Sequence, residues 1–118
     1  MTYIDGFVIP VPSADRAAFI EHATAADRLF LEHGALRVTE GWGDDVPDGK
    51  VTDFRRSVQA SEHETVCFAW IEWPDKATRD AGMKSVMDDP RMKDIPAMPF
   101  DGKRMIFGGF ETVVSVQK

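Results

Sequence analysis

The sequence predicts an α+β fold: one four-stranded antiparallel sheet with two helices on the same face. Three observations predict it. Stretches rich in β-branched and aromatic residues recur at 3–11, 36–42, 64–73 and 104–114, and helical periodicity occupies 13–33 and 75–89. The resulting order is β-α-β, a long polar loop, then β-α-β, which is the split βαβ arrangement that places the first strand between the third and fourth.

The elements follow in order. Residues 3–11 form a strand that ends against Pro10 and Pro12. Ser13 is a candidate helix cap with Asp15 in the first turn, although Arg16 stands where a capping box wants an acid. The helix is expected to reach His33 and stop at Gly34. Phe19, Ala23, Ala26 and Phe30 form its buried stripe, and Glu21, Asp27, Arg28 and Glu32 face water. In the second strand Leu36, Val38, Glu40 and Trp42 share one side. The loop Asp44-Asp45-Val46-Pro47-Asp48-Gly49-Lys50 then sets up a local negative field at the end of the sheet. Residues 52–60 read as a short extended or irregular segment. Glu64 to Trp73 is the clearest strand in the chain, and Pro74-Asp75 opens a second helix that runs to Asp89 with Met83, Val86 and Met87 inward. Pro96, Pro99 and the turn Asp101-Gly102 precede the last strand. This is the ferredoxin-like plan.

The third strand adds a prediction about assembly. Val66, Phe68 and Trp70 alternate with Cys67, Ala69, Ile71 and Trp73, so both of its sides are apolar. Two helices cover only one face, whereas a half-buried antiparallel sheet normally shows a polar one. The second face is expected to meet another copy of the sheet or a large cavity. Burying about 600 Å² there is worth about 15 kcal/mol before association costs. The sequence therefore predicts a homodimer.

Composition bounds the rest. The 118 residues fit a single domain spanning 1–118. A net charge of −6 argues against nucleic-acid or anionic-membrane partners, and no apolar run approaches a membrane span. The lone Cys67 sits in an apolar run as a buried small hydrophobe, which fits a reducing compartment. The first residues lack a secretion signal, so a cytoplasmic location is expected.

Several uncommon strings resemble a known family. Asp5-Gly6-Phe7-Val8, Trp42-Gly43-Asp44-Asp45-Val46-Pro47, Thr52-Asp53-Phe54, Trp70-Ile71-Glu72-Trp73-Pro74, Arg79-Asp80, Asp89-Pro90-Arg91 and Pro99-Phe100-Asp101-Gly102-Lys103-Arg104-Met105-Ile106 occur in order. Together they are similar to the YbaA-like bacterial proteins over nearly the whole chain. The resemblance implies a dimeric α/β barrel, two ferredoxin-like subunits facing each other through their sheets, and it implies no activity. The wider barrel superfamily includes cofactor-free monooxygenases, muconolactone isomerase-like enzymes, haem enzymes and stress-responsive proteins, and such kinship assigns no reaction.

Candidate residues are polar groups in apolar strands, histidines and aromatics. Asp5, Glu40, Glu72 and Arg104 must be paired, solvated or used, and Asp5 is positioned to approach Glu72 or Arg104. One reading is a carboxylate–arginine network that fixes strand register; another is a general acid or base of raised pKa. His22 borders the helix stripe, His33 suits the helix C-terminus and His63 is expected to be exposed. The catalytic candidates are His22, Asp5 and Glu72. Trp42, Trp70, Phe7 and Arg104 are candidates for a ligand-binding surface, although core packing and a dimer seam use aromatics equally well. Neither histidine spacing nor the acidic loop has a metal-site pattern, so no metal or cofactor is expected; Asp44, Asp45 and Asp48 read as turn-forming groups. Three functions remain open: a homodimer that binds a small apolar or aromatic metabolite in a cleft between sheet and helices, a cofactor-free monooxygenase or isomerase-like enzyme, and a structural or stress-related dimer without a small ligand.

Overall fold

The computed structural model describes residues 1–118. Strands β1 (Tyr3–Pro12), β2 (Arg37–Trp42), β3 (Glu64–Trp73) and β4 (Ile106–Glu111) form one sheet in the order β2-β3-β1-β4, with every pairing antiparallel. Helix α1 (Arg16–Glu32) links β1 to β2, a short helical turn α2 (Phe54–Ser57) lies in the long loop, and α3 (Lys76–Asp88) follows β3. This is the ferredoxin-like α+β fold.

The pleat sorts the side chains. On one face Ile9, Val11, Cys67 and Ala69 pack with Phe19 of α1, while Tyr3, Ile71 and Trp73 pack with Ala35, Phe30 and Met83. On the other face Val8 and Val66 lie under Val58, and Val46 and Ala60 pack on them. The loop between β2 and β3 thus covers one end of the second face, and Phe54 meets Phe68 edge-on at 5.9 Å. The remainder of that face is open.

Local chemistry explains the boundaries. Gly34, at φ +113°, takes the left-handed conformation that ends α1. Asp75 caps α3 by accepting from Thr78 N–H at 2.7 Å. Ser13 caps no helix; its hydroxyl bonds the Thr65 hydroxyl at 2.8 Å, and a 3₁₀ turn, Ser13–Asp15, precedes α1. The segment read as extended at 52–60 contains α2 instead, because the Asp53 carboxylate accepts from Arg56 N–H at 2.7 Å and nucleates a helical turn. Asp53 also accepts from Gly49 N–H at 3.1 Å and the Arg56 side chain at 2.9 Å. It fills the role expected of Asp44, Asp45 and Asp48. The last strand is shorter than expected: beyond Glu111 only Thr112 stays tied, through Thr2, and Val113, Val114 and Val116 are exposed.

One buried charge pins the sheet to α3. Asp5 is 3 % exposed and accepts from Trp73 Nε1 at 2.9 Å, Arg79 Nη2 at 2.7 Å and Arg79 Nε at 3.1 Å. The guanidinium carbon also lies 5.1 Å from the centre of the Tyr3 ring. Gly109 stands opposite Asp5 on β4, where a Cβ would fall 2.5 Å from the Tyr3 hydroxyl and 2.8 Å from Arg79 Nη2. Only glycine leaves room for the network. Asp5 therefore finds its cation on α3, whereas Glu72 and Arg104 pair elsewhere. Arg79→Met is expected to strand a buried carboxylate and destabilise the fold by roughly 3–5 kcal/mol in denaturant titration, with Asp5→Asn smaller because it retains a hydrogen-bonding group.

Candidate functional site

A cleft of about 480 Å³ opens between α1 and the edge strand β2, lined by Arg16, Phe19, Ala23, Asp27, Glu40 and Trp42, with Ile20 and Thr24 at its side. The helical period brings 16, 19–20, 23–24 and 27 to one side of α1, and the strand period brings Glu40 and Trp42 to the helix face of β2. Phe19 and Trp42 form the apolar wall at 6.0 Å between ring centres. The Arg16 guanidinium carbon sits 5.7 Å from the Trp42 ring centre.

The polar part of the cleft is a carboxyl pair. Burial, then the charge of Asp27 and a hydrogen bond to it, push Glu40 up to about 8. Burial pushes Asp27 up to about 6, while the hydrogen bond with Glu40 opposes that rise. Both carboxyls therefore keep protons to higher pH than free acids do, and they titrate as a pair. Glu40 Oε2 exposes less than 1 Å² and has no hydrogen-bond partner, the sole buried side-chain polar atom left so. Beneath them on β3, burial foremost raises the Cys67 thiol to about 11, and the charge of Glu40 adds to the rise.

A second concavity, about 670 Å³, lies on the open face and is almost wholly apolar, with Ile4, Val8, Phe68, Trp70, Ile106 and Phe110 around Gly6 and Gly108. Gly6 faces Gly108 on β4 and Trp70 on β3. The missing side chains of the glycine pair form its floor.

The catalytic candidates read from the sequence do not share a cavity. His22 Nδ1 lies 2.6 Å from the Pro96 carbonyl, and its ring meets Phe100 at 6.0 Å, so it ties the loop before β4 to α1. Asp5 lies beneath α3 in the network with Arg79. Glu72 points to the opposite face and pairs with Arg37 across β2 and β3 at 3.6 Å. Arg104 precedes β4 and joins Glu64 at 2.6 Å, Asp101 at 3.1 Å and the Gln59 carbonyl at 3.0 Å. Trp42 lines the α1/β2 cleft and Trp70 borders the open-face concavity, whereas Phe7 touches that concavity but packs its side chain against the helix-face core. His33, at the end of α1, contacts Asp89 at 2.8 Å, and Arg91 holds that aspartate at the same distance.

Asp27 is the residue that the sequence reading missed. It was assigned to the wet side of α1, but it is half-buried toward β2. Its signal was its place four residues after Ala23 and eight after Phe19, next to the apolar stripe. Glu40 was legible as an acid on the inward side of a strand.

Comparison of folds identifies the class. The chain is similar to a dimeric ferredoxin-like protein from an uncultured marine organism, with a TM-score of 0.60 and 11 % identity over 98 % of both chains. It is also similar to a dimeric ferredoxin-like protein of unknown function from Jannaschia sp. CCS1, with a TM-score of 0.56 and 16 % identity over 93 % of this chain and 99 % of the other. Sequence comparison is more specific. Residues 2–102 match the family described as Protein of unknown function (DUF1428). The Uncharacterized protein YbaA of Escherichia coli (strain K12) is 56 % identical over 115 residues, covering 97 % of this chain and 98 % of the relative, and the protein of that name from Shigella flexneri matches equally. The chain belongs to the DUF1428 family, and the resemblance to YbaA-like proteins read from its motifs holds.

The carboxyl pair makes a stability prediction. A raised folded-state pKa means that the protonated acid suits the fold, so the associated cost is absent below about pH 4.5 and grows as the pH rises toward about 8. Glu40→Gln is therefore expected to stabilise the protein little at about pH 4.5 and by on the order of 1–3 kcal/mol at about pH 8, measured by denaturant unfolding at both values.

Proposed function

We propose that this protein is a homodimer that binds a small, largely aromatic or apolar molecule in the α1/β2 cleft of each subunit. The observation that carries the ligand reading is Glu40 Oε2, a buried acceptor without a partner inside an aromatic-walled cleft. Leaving such an atom unpaired costs about 1–3 kcal/mol, a cost that a hydrogen-bond donor on a ligand would remove. The cleft volume also lies within the range of small-molecule sites.

Support for the dimer comes from the open face. Phe68, Ile106 and Phe110 are 45 %, 45 % and 60 % exposed around an apolar concavity, and both similar solved structures are described as dimeric. A second sheet packed on it would cover the apolar surface that the helices leave bare. A second reading, a cofactor-free enzyme that moves a proton, is favoured by two neighbouring acids in the cleft whose pKa values burial raises toward neutrality.

Sedimentation at micromolar concentration is expected to give a dimer, and Phe110→Asp on the open face is expected to give a folded monomer. A wild-type monomer would overturn the assembly. For the cleft, a screen of one- and two-ring compounds read by indole fluorescence is expected to yield binders whose signal is lost in Trp42→Phe; binders that respond only through Trp70 would place the site on the open face instead.

A further inference from the structure

Resting on the cleft as a ligand site, we infer that its occupant is a small arylalkylamine whose ammonium group sits between Asp27 and Glu40 and whose ring lies against Phe19 and Trp42. The two carboxyls define the polar end. They approach each other beneath α1 with no cation on either: the salt bridges of the chain involve neither residue, and Arg16 in the same cleft is held over the Trp42 ring. The missing partner of such a pair is a cation with several donors, and Glu40 Oε2, buried and unpartnered, marks where one of its N–H groups belongs.

A metal ion fits less well, because hard cations take six or more oxygen ligands and no cluster of three or more His, Cys, Asp or Glu side chains exists here. An anion would meet two carboxyls. The rest of the lining sets the body of the ligand: Phe19, Ala23 and Trp42 offer aromatic and aliphatic surface without further donors. An ammonium is held best by ionised carboxylates, so binding displaces protons that burial otherwise retains on the pair. The other groups facing the pair are Arg16 on α1 and the Cys67 thiol on β3; burial holds that thiol up at about 11, so it stays neutral between about pH 6 and 8. Affinity for an amine therefore rises with pH across that window, by up to about tenfold per unit where one proton is displaced.

The test compares 2-phenylethylamine with its neutral counterpart 2-phenylethanol by calorimetry, with the Trp42 indole N–H followed by NMR. The amine is expected to bind at least about tenfold tighter than the alcohol at pH 8, to lose most of that advantage at pH 6, and to release a proton at pH 7 as judged in buffers of different ionisation enthalpy. Glu40→Gln and Asp27→Asn should each remove the advantage of the amine over the alcohol, and circular dichroism with a cooperative melting transition certifies that the variants are folded. If a variant does not fold, the pH dependence and proton release of the wild type decide. Equal or tighter binding of the alcohol would overturn the inference and leave the cleft as a ligand site. Amine binding that survives both substitutions would overturn it by placing the amine elsewhere. Failure of both probes to shift the Trp42 resonance would remove the cleft reading and the inference with it.

Discussion

The ten-residue antiparallel pairing of β1 with β3 is the constraint on which the rest of the molecule depends. Tyr3 faces Trp73 at one end and Pro12 faces Glu64 at the other, so alternate residues of both strands go to the helix face and the remainder to the open face. A slip of one residue would send every side chain to the wrong side. Asp5 guards against such a slip. Its carboxylate reaches both the Trp73 indole of the neighbouring strand and Arg79 of the helix above, and only one register satisfies both. The buried ion pair is better understood as fixing register and helix position than as adding net stability, because a charge taken from water regains little beyond its own desolvation.

That pairing explains why some features were legible in the sequence and others were not. The two apolar sides of β3 could be read from alternation alone, and they correspond to Cys67, Ala69 and Ile71 against the helices and to Val66, Phe68 and Trp70 on the other face. Helix ends at Gly34 and Asp75 were equally local. Partners were not. Asp5 and Arg79 stand 74 positions apart, and nothing short of the docked position of α3 reveals that they meet. Arg104 looked like a strand residue because the apolar run begins beside it, yet β4 starts at Ile106, which frees its side chain to turn toward Glu64.

The acid pair shows the same limit from another side. Glu40 alternates with Val38 and Trp42, so its inward direction followed from strand periodicity. Asp27 sits at the margin of the α1 stripe, where 3.6-residue periodicity leaves the direction undecided, and polarity alone favoured water. The packing of α1 against β2 settles the matter, and that contact joins elements whose direction one helix's periodicity does not show. The two acids of the cleft thus have an environment made by two elements together.

The cleft and the open-face concavity lie on opposite sides of the same sheet and on different strands, which separates their energetics. Trp42 and Glu40 point toward α1, while the neighbouring Gly41 faces the other side and contacts the Phe68 region. A change on one face reaches the other only through the backbone of β2 and β3 or through the loop that follows Trp42. Substitutions at Phe68 or Phe110 should therefore act on assembly without altering the charge balance of Asp27 and Glu40, more than one strand thickness away. An acid pair held half-buried costs stability that an aliphatic residue at either position would not, and the sheet tolerates it because the core beneath, Ile9, Val11, Phe19, Cys67 and Ala69, is itself well buried. The cost is confined to an edge strand, where a local adjustment disturbs one ladder only. In a fold of this plan that is the least damaging place to hold incompletely satisfied polar groups.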